Sequence, residues 1–140
     1  MRISASLTRR FILFLCFLLS INLITQNVPP SISDPEELRA TQIERQRVFD
    51  SIIDDPTNLE NLFNYANLSI LVGDLEAAIG VFEQMLIYKP DLPRIKLELG
   101  VLYFRLGAYA SAKRYLDDVE NYDPPEEVRK KVTVFLDQIE

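Results

Sequence analysis

Apolar residues recur at intervals of three and four along most of the chain after residue 34, which is the spacing of one face of an α-helix. Glycine and proline separate the segments that carry this pattern. No segment sustains an alternation of apolar and polar residues, and no hairpin turn dipeptide is present. The pattern therefore predicts an all-α chain with helices at 35–54, 59–72, 75–88, 93–106, 109–121 and 125–139.

The segment from Leu59 to Glu126 repeats its own pattern with an offset of 34 residues. At this offset small residues align with small residues, turn glycines align with turn glycines, and prolines that end a helix align with prolines. The matched pairs are Ala66 and Gly100, Gly73 and Gly107, Ala78 and Ala112, Phe82 and Leu116, and Pro90 and Pro124. A period of this length predicts stacked pairs of antiparallel helices.

The small and the large side chains of this repeat have different expected places. Alanine or glycine at matched positions of both helices in a unit lets the two backbones approach closely. Phe82 and Leu116 are expected to lie between adjacent units. Three tyrosines are expected in the interior of the repeats, namely Tyr65, Tyr103 and Tyr109.

Two repeats are marginal alone, because each buries its apolar face only against a neighbour. The flanking helices at 36–54 and 125–139 are therefore expected to act as caps. Pro56 lies 34 residues before Pro90, so the first helix is interpreted as the second half of a degenerate repeat.

At this point the chain shows a resemblance. The second unit resembles the tetratricopeptide repeat at Leu99, Gly100, Tyr103, Gly107, Tyr109, Ala112, Leu116 and Pro124, and the first at Leu62, Ala66, Gly73, Ala78, Phe82 and Pro90. The resemblance implies a tetratricopeptide-like α-solenoid over 35–140, with two full repeats between capping helices. Two residues depart from the family pattern: Ser69 replaces the tyrosine of the second unit, and Lys96 replaces a bulky apolar residue.

Repeats of this family bind peptides on the concave face, which the first helix of each unit lines. The resemblance implies a lining of Glu60, Phe63, Asn67, Ile70, Arg94, Leu97, Val101, Phe104 and Arg105. Such a lining suits an amphipathic helix or an apolar peptide. Asn67 matches the family's carboxylate clamp, but Phe63 replaces its lysine, so capture of a terminal carboxylate is not expected. In the alternative interpretation Leu97, Val101 and Phe104 only pack beneath the N-terminal helix.

The N-terminus has the features of a targeting segment. Three arginines precede an apolar run from Phe11 to Ile24, and a polar exit follows. Residues 1–27 are therefore predicted to be a secretory signal peptide or an N-terminal membrane anchor, followed by a linker at 28–34. Two further interpretations stay open, a twin-arginine signal at Thr8-Arg9-Arg10 and a buried helix of the fold.

Composition excludes several kinds of chemistry. The chain has no histidine, and its one cysteine, Cys16, lies in the apolar run. A catalytic triad, a cysteine–histidine pair and an ordinary zinc site are not expected, and neither is any cofactor. The net charge is −6, and without residues 1–27 the chain carries 12 basic and 21 acidic residues, a net charge of −9. This balance argues against a nucleic-acid partner.

These observations predict a non-enzymatic, exported protein-interaction module. The run 92–107 is similar to the N-terminal repeat region of bacterial outer-membrane proteins that end in a β-barrel, which suggests a periplasmic role in envelope assembly or secretion. The expected partner is a protein or peptide, such as an outer-membrane or secreted protein. A membrane is expected to be contacted only through an uncleaved N-terminal segment. The alternative is a structural module that self-associates by stacking its repeats.

Overall fold

The computed structural model describes residues 30–139, so the predicted targeting segment at 1–27 lies outside the described residues. The described part is built of helices and contains no strand, which confirms the all-α prediction. Its helices are α1 (Pro35–Asp54), α2 (Leu59–Leu71), α3 (Leu75–Tyr88), α4 (Pro93–Arg105), α5 (Tyr109–Glu120) and α6 (Glu126–Asp137). Their bounds agree with the predicted ones to within two residues. Between residues 30 and 139 no helix has the length and apolar character needed to span a bilayer.

The helix ends follow from local side-chain chemistry. Asp34, Asn58 and Asp74 precede α1, α2 and α3, and their side chains accept hydrogen bonds from backbone N–H groups of the first turn. The turns inside the two units contain Gly73 and Gly107, whose φ angles are 84° and 71°. Glycine adopts this left-handed conformation without steric cost, so the chain can reverse within two or three residues.

Each helix packs against the next one in the chain, and α4 also contacts α6. The small residues lie where the helices of a unit approach most closely. Ala66, Ala78 and Ala112 are fully buried, and an added methyl group at Gly100 would lie 2.7 Å from Cγ and Cδ2 of Leu116. The predicted role of these residues in close helix packing is therefore confirmed.

The core consists of two adjoining clusters of buried side chains. The larger one joins α2, α3 and α4, and Phe82 lies fully buried in it. The smaller one joins α5 and α6 through Leu116, Val119 and Val132. Phe82 and Leu116 thus occupy the interior positions that the repeat predicts.

Helix α1 packs only on α2 and contributes no buried residue. Its contacts combine polar and apolar side chains: Arg45 forms an ion pair with Asp74 at 2.7 Å, the Phe49 ring lies 5.6 Å from that of Tyr65, and Ile52 packs on the larger core cluster. At the place of the buried Ala78, α1 carries Glu44, which pairs with Arg47 on the surface. The outer side of α1 is therefore polar at this position, while Ile43 and Ile53 are exposed elsewhere on the helix.

One expected interior residue is misplaced. Tyr65 and Tyr103 are half-buried, but Tyr109 is 49% exposed, so its prediction as a core residue is wrong. Tyr109 is the first residue of α5, beside the turn, where its ring packs on Phe104 with the centroids 5.5 Å apart and the rest of the side chain faces solvent.

The two helical glycines provide a test of the close approach. We expect Gly100→Ala to lower the free energy of unfolding by about 1 kcal/mol, because overpacking costs about 1–3 kcal/mol and the higher helix propensity of alanine offsets about 1 kcal/mol. Gly80 is exposed in α3, and an added methyl group there meets nothing within 4 Å. Gly80→Ala should therefore raise stability by about 0.5–1 kcal/mol. Urea unfolding of both variants checks this, and equal shifts would refute the close contact.

Candidate protein-binding face

The first helix of each unit, α2 and α4, carries all the residues predicted to bind a partner. Phe63, Asn67 and Ile70 are half-buried on α2, and Leu97, Val101 and Phe104 are half-buried on α4. The charged residues Glu60, Arg94 and Arg105 are exposed. We call the surface formed by these sides of α2 and α4, together with the adjoining side of α6, the inner face.

A contact between Arg94 and Phe63 joins the two units on the inner face. The guanidinium carbon of Arg94 lies 4.8 Å from the centroid of the Phe63 ring, and the ring also packs 6.0 Å from that of Phe82. A cation over an aromatic face is attracted by the ring quadrupole. The contact therefore fixes a positive charge at the boundary between α2 and α4.

The alternative expectation, that the N-terminal helix covers Leu97, Val101 and Phe104, is wrong. Helix α1 contacts only α2, whereas the C-terminal helix α6 approaches α4. The ring of Phe104 lies 5.1 Å from that of Phe135, edge to face, and Leu97 packs against the cluster that contains Val132. Leu97 and Phe104 thus support α6 while each keeps part of its surface exposed.

A cavity of about 420 Å³ opens between α4 and α6 on the inner face. This volume lies within the range of about 300–1,000 Å³ that is usual for ligand pockets. Its lining residues are Pro93, Arg94, Leu97, Glu98, Val119, Tyr122, Asp123, Pro124, Pro125, Val128 and Lys131. Two of the predicted binding residues, Arg94 and Leu97, meet in this cavity. The other seven predicted residues do not line it, namely Glu60, Phe63, Asn67, Ile70, Val101, Phe104 and Arg105.

Sequence reasoning missed the wall that α6 contributes. Val128 and Lys131 lie 34 residues after Arg94 and Leu97, so one more step of the same offset points to them. The binding residues were assigned only within the two complete units, and α6 was interpreted as a cap. The structure places α6 where the first helix of a third unit would lie, which makes it part of the inner face.

Lys96 is the second missed feature, and it supports the cavity from behind. Its side chain is buried, and its ammonium donates hydrogen bonds to Oδ2 of Asp118 at 2.5 Å and to the hydroxyl oxygen of Tyr122 at 2.6 Å. Tyr122 lines the cavity. Lys96 thus holds one wall of the cavity in place, because it binds Tyr122 and Asp118 at the end of the neighbouring helix α5.

The ion pair between Lys96 and Asp118 changes the pKa of both groups. Burial acts most strongly on Lys96 and disfavours its charged form, but the hydrogen bonds to Asp118 and Tyr122 together outweigh it, so the pKa of Lys96 is raised above its ordinary value of 10.5. Hydrogen bonds from Lys96 and then Asn121 lower the pKa of Asp118 below its ordinary 3.8. Both groups are therefore charged at neutral pH.

A second polar network ties the two units together beside the core. Tyr103 and Tyr115 both donate to Oε1 of Glu83, at 2.8 and 3.0 Å, and their rings stack 5.7 Å apart. Burial, together with the hydrogen bond to Glu83, raises the pKa of Tyr103 to about 12 and also raises that of Tyr115. These tyrosines therefore remain protonated donors, and they fix α4 and α5 against α3.

The acidic side chains near the end of α5 are engaged in ion pairs. Asp117 pairs with Lys113 at 3.3 Å, and Asp118 pairs with Lys96. Within residues 30–139, no group of three or more acidic side chains is arranged so that it could hold a metal ion. The inner face, in contrast, combines partly exposed apolar side chains with exposed charged ones, and this combination suits recognition of a partner.

Comparison with known proteins agrees with this architecture. Residues 69–133 match the tetratricopeptide repeat family. The matched segment runs from the last turn of α2 through α3, α4 and α5 into α6, and it contains the whole cavity described above. Tetratricopeptide repeats generally mediate protein–protein interaction.

A curated protein shares part of this chain's sequence. A stretch of 55 residues is 34% identical to the BBSome complex member BBS4 of Bos taurus. The stretch covers 39% of this chain and 11% of that protein, so the chain spans about a ninth of the length of the relative it matches. The similarity of the run 92–107 to bacterial outer-membrane repeat regions stays a prediction.

Removing the buried ammonium should destabilise the protein in a pH-dependent way. We expect Lys96→Met to lower the free energy of unfolding at pH 7 by about 1–2 kcal/mol, because hydrogen bonds to charged groups contribute about 1.5–3 kcal/mol and Asp118, 42% exposed, regains hydration. The Asp118 contribution is complete above its unfolded pKa and is lost as pH falls through the lower folded pKa. The Lys96 contribution is complete below pH 10.5 and is lost as pH rises through the higher folded pKa.

Urea unfolding at neutral and at acid pH measures this difference. The gap between the native protein and Lys96→Met should shrink as pH falls through the folded-state pKa of Asp118, which lies below the ordinary 3.8. Lys113→Met is the matched control, since Lys113 makes only an exposed pair worth about 0.3–0.5 kcal/mol. Equal losses of stability in both variants, with no dependence on pH, would show that the buried pair contributes no more to stability than the exposed pair.

Proposed function

We propose that this chain is a non-enzymatic protein-interaction module that binds a peptide or helical segment of a partner on its inner face. The observation that carries the proposal is the cavity between α4 and α6, which combines an apolar floor with charged margins. Pockets that bind ligands have this combination, in which apolar walls provide affinity and a few polar groups orient the ligand. The general role of tetratricopeptide repeats supports the same conclusion.

The apolar residues of the inner face retain surface that a partner could cover. Phe63, Leu97, Val101 and Phe104 are each only partly buried. Burying apolar surface contributes about 25 cal/mol per Å². An amphipathic helix or an extended segment laid across these side chains would therefore gain affinity without any rearrangement of the array.

The relative found among curated proteins favours a role in an assembly. By its name, BBS4 of Bos taurus is a member of a protein complex, and its matching segment aligns with this chain. We infer that this chain likewise works as one component of a larger protein assembly.

Self-association by end-to-end stacking is a less favoured alternative. Stacking would bring a helix against the outer side of α1, where Glu44 replaces the alanine that permits close approach. The outward residues of α6 include Glu127, Lys130 and Thr133, which are exposed. Burying these charges without partners would be costly. These polar positions count against close stacking of copies, although the end helices also expose apolar side chains, namely Ile43 and Ile53 on α1 and Val134 on α6.

Export belongs to the same proposal and rests on residues 1–27. Their arginines and apolar run match a signal peptide or anchor. We propose that the helical array acts outside the cytoplasmic membrane, in the periplasm or on the cell envelope. Its partner would then be an outer-membrane or secreted protein, and its role would lie in envelope assembly or secretion.

Site-specific crosslinking tests the inner face. A photoreactive amino acid placed at Asn67 or Arg105 should crosslink the full-length protein to one segment of one partner protein, because both residues lie on the inner face. The same amino acid at Glu76 or Lys113, on the second helices of the units, should not produce that crosslink. Mass spectrometry of the crosslinked peptides identifies the segment.

Charge reversal supplies the quantitative control for this experiment. Arg105→Glu should weaken binding of the identified partner by about tenfold or more without changing the thermal midpoint, because Arg105 is exposed. Crosslinks that arise only from the outer positions, or only to a second copy of this chain, would contradict the proposed function.

Fractionation tests the proposed export. The full-length chain, expressed in a bacterial cell, should appear outside the cytoplasm, whereas a chain lacking residues 1–27 should remain inside. The mass of the exported product distinguishes a cleaved signal peptide from a retained anchor. Equal distribution of both chains would exclude export through this segment.

A further inference from the structure

Charged side chains of both signs line the cavity between α4 and α6. Arg94 and Lys131 stand at its margins, and Glu98 and Asp123 also line it. Asp123 already accepts a hydrogen bond from Arg129, with Nη2 and Oδ1 3.1 Å apart. Among residues 30–139, neither Arg94 nor Lys131 forms an ion pair with a carboxylate. Two cations without a carboxylate partner, Arg94 and Lys131, therefore face the cavity beside two carboxylates, Glu98 and Asp123, the second of which shares Arg129 with Glu120 and Glu126.

The lining of the cavity has as many basic as acidic residues, unlike the molecule as a whole. The chain carries a net charge of −6 and has 21 acidic residues against 15 basic ones. Cations that lack a carboxylate partner attract negative groups of a binding segment, and salt screens this attraction. Arg94 and Lys131 therefore select among partners that would all suit the apolar floor of the cavity.

The floor of the cavity between these cations is apolar. Leu97 and Val128 contribute aliphatic surface from α4 and α6, and Pro124 and Pro125 contribute the turn between α5 and α6. A cavity of about 420 Å³ with such walls takes a large aliphatic or aromatic side chain. The apolar floor thus suits an apolar side chain of the partner segment, and the cations at the margins suit its negative groups.

One of these cations, Arg94, is held in place before a partner arrives, and the helix that carries the other is fixed. Arg94 rests on the Phe63 ring, at 4.8 Å from its centroid. Lys131 lies on α6, which the contact between Phe104 and Phe135 fixes against α4. A pre-organised group loses less conformational entropy on binding, so a larger part of its interaction energy contributes to the binding free energy.

From these observations, and resting on the proposed function, we infer that the partner segment carries a large apolar side chain flanked by carboxylates. The apolar side chain enters the cavity between α4 and α6, and the carboxylates pair with Arg94 and Lys131. This arrangement differs from the capture of a chain terminus, since it needs carboxylates on side chains at both margins of the cavity.

Three synthetic peptides test the inference against the full-length protein. The first, of about 12 residues, has leucine and phenylalanine one helical turn apart with glutamates on both sides. The second replaces every glutamate with lysine, and the third replaces the leucine and phenylalanine with serine. By fluorescence anisotropy the first should bind at least about tenfold more tightly than either of the others. Its affinity should also fall as salt rises from about 50 to 300 mM.

Two double variants with the same net charge assign the effect to the cavity. Arg94→Glu with Lys131→Glu should reverse the preference between the acidic and the basic peptide. Arg39→Glu with Lys89→Glu changes the total charge by the same amount at exposed positions away from the cavity, and should leave the preference unchanged. Circular dichroism checks that both double variants are folded at the temperature of measurement.

Several results would overturn the inference. One is an acidic peptide that binds no more tightly than the basic peptide, or that does not bind at all. Another is an equal loss of preference in both double variants, which would mean that total charge decides. A third is a dimer, seen by sedimentation without peptide, that the reversal of Arg94 and Lys131 dissociates.

The crosslinking experiment separates this inference from the function on which it rests. If Asn67 and Arg105 crosslink to a partner segment but the acidic peptide shows no preference, the chemistry inferred for the cavity fails and the binding role stands. If neither experiment detects an inner-face ligand, both fail.

Discussion

The close approach of paired helices at small residues is the constraint on which the rest of this structure depends. At Gly100 the Leu116 side chain occupies the space of the missing methyl group, and fully buried alanines perform the same role at Ala66 and Ala112. Only because α4 and α5 lie this close can the Lys96 ammonium reach Asp118 and Tyr122. The polar network, and through it one wall of the binding cavity, is therefore a consequence of backbone proximity.

Packing is unevenly distributed along the array, and the two ends differ from the middle. The largest cluster of buried side chains joins α2, α3 and α4, whereas α1 contributes no buried residue. An element that contributes no buried residue opens at lower free energy than an element of the core. We infer that α1 exchanges its amide protons before the central helices.

Sequence periodicity was sufficient to predict the fold because each packing position occurs twice, once in each repeat. Phe82 and Leu116 could be placed in the interior since matching residues 34 apart constrain each other. The same reasoning placed Arg94 and Leu97 on a common face but missed Lys131, whose helix was interpreted as a cap. It also missed the partner of Lys96, because an ion pair between two helices depends on three-dimensional proximity that no fixed spacing encodes. Tyr109 shows the opposite error. It matches a family position that is usually interior, but it is the first residue of its helix and is exposed there.

The inner face and the core share residues, and this couples recognition to stability. Leu97 and Phe104 offer surface to a partner and also hold α6 through Val132 and Phe135. A segment bound across α4 and α6 would contact both helices, so it would stabilise the attachment of α6 according to its concentration and affinity. Replacing Leu97 or Phe104 would therefore release α6 as well as remove a binding contact, and loss of binding in such a variant would not identify the inner face. Exposed charges at the margins, which take no part in the core, distinguish the two effects.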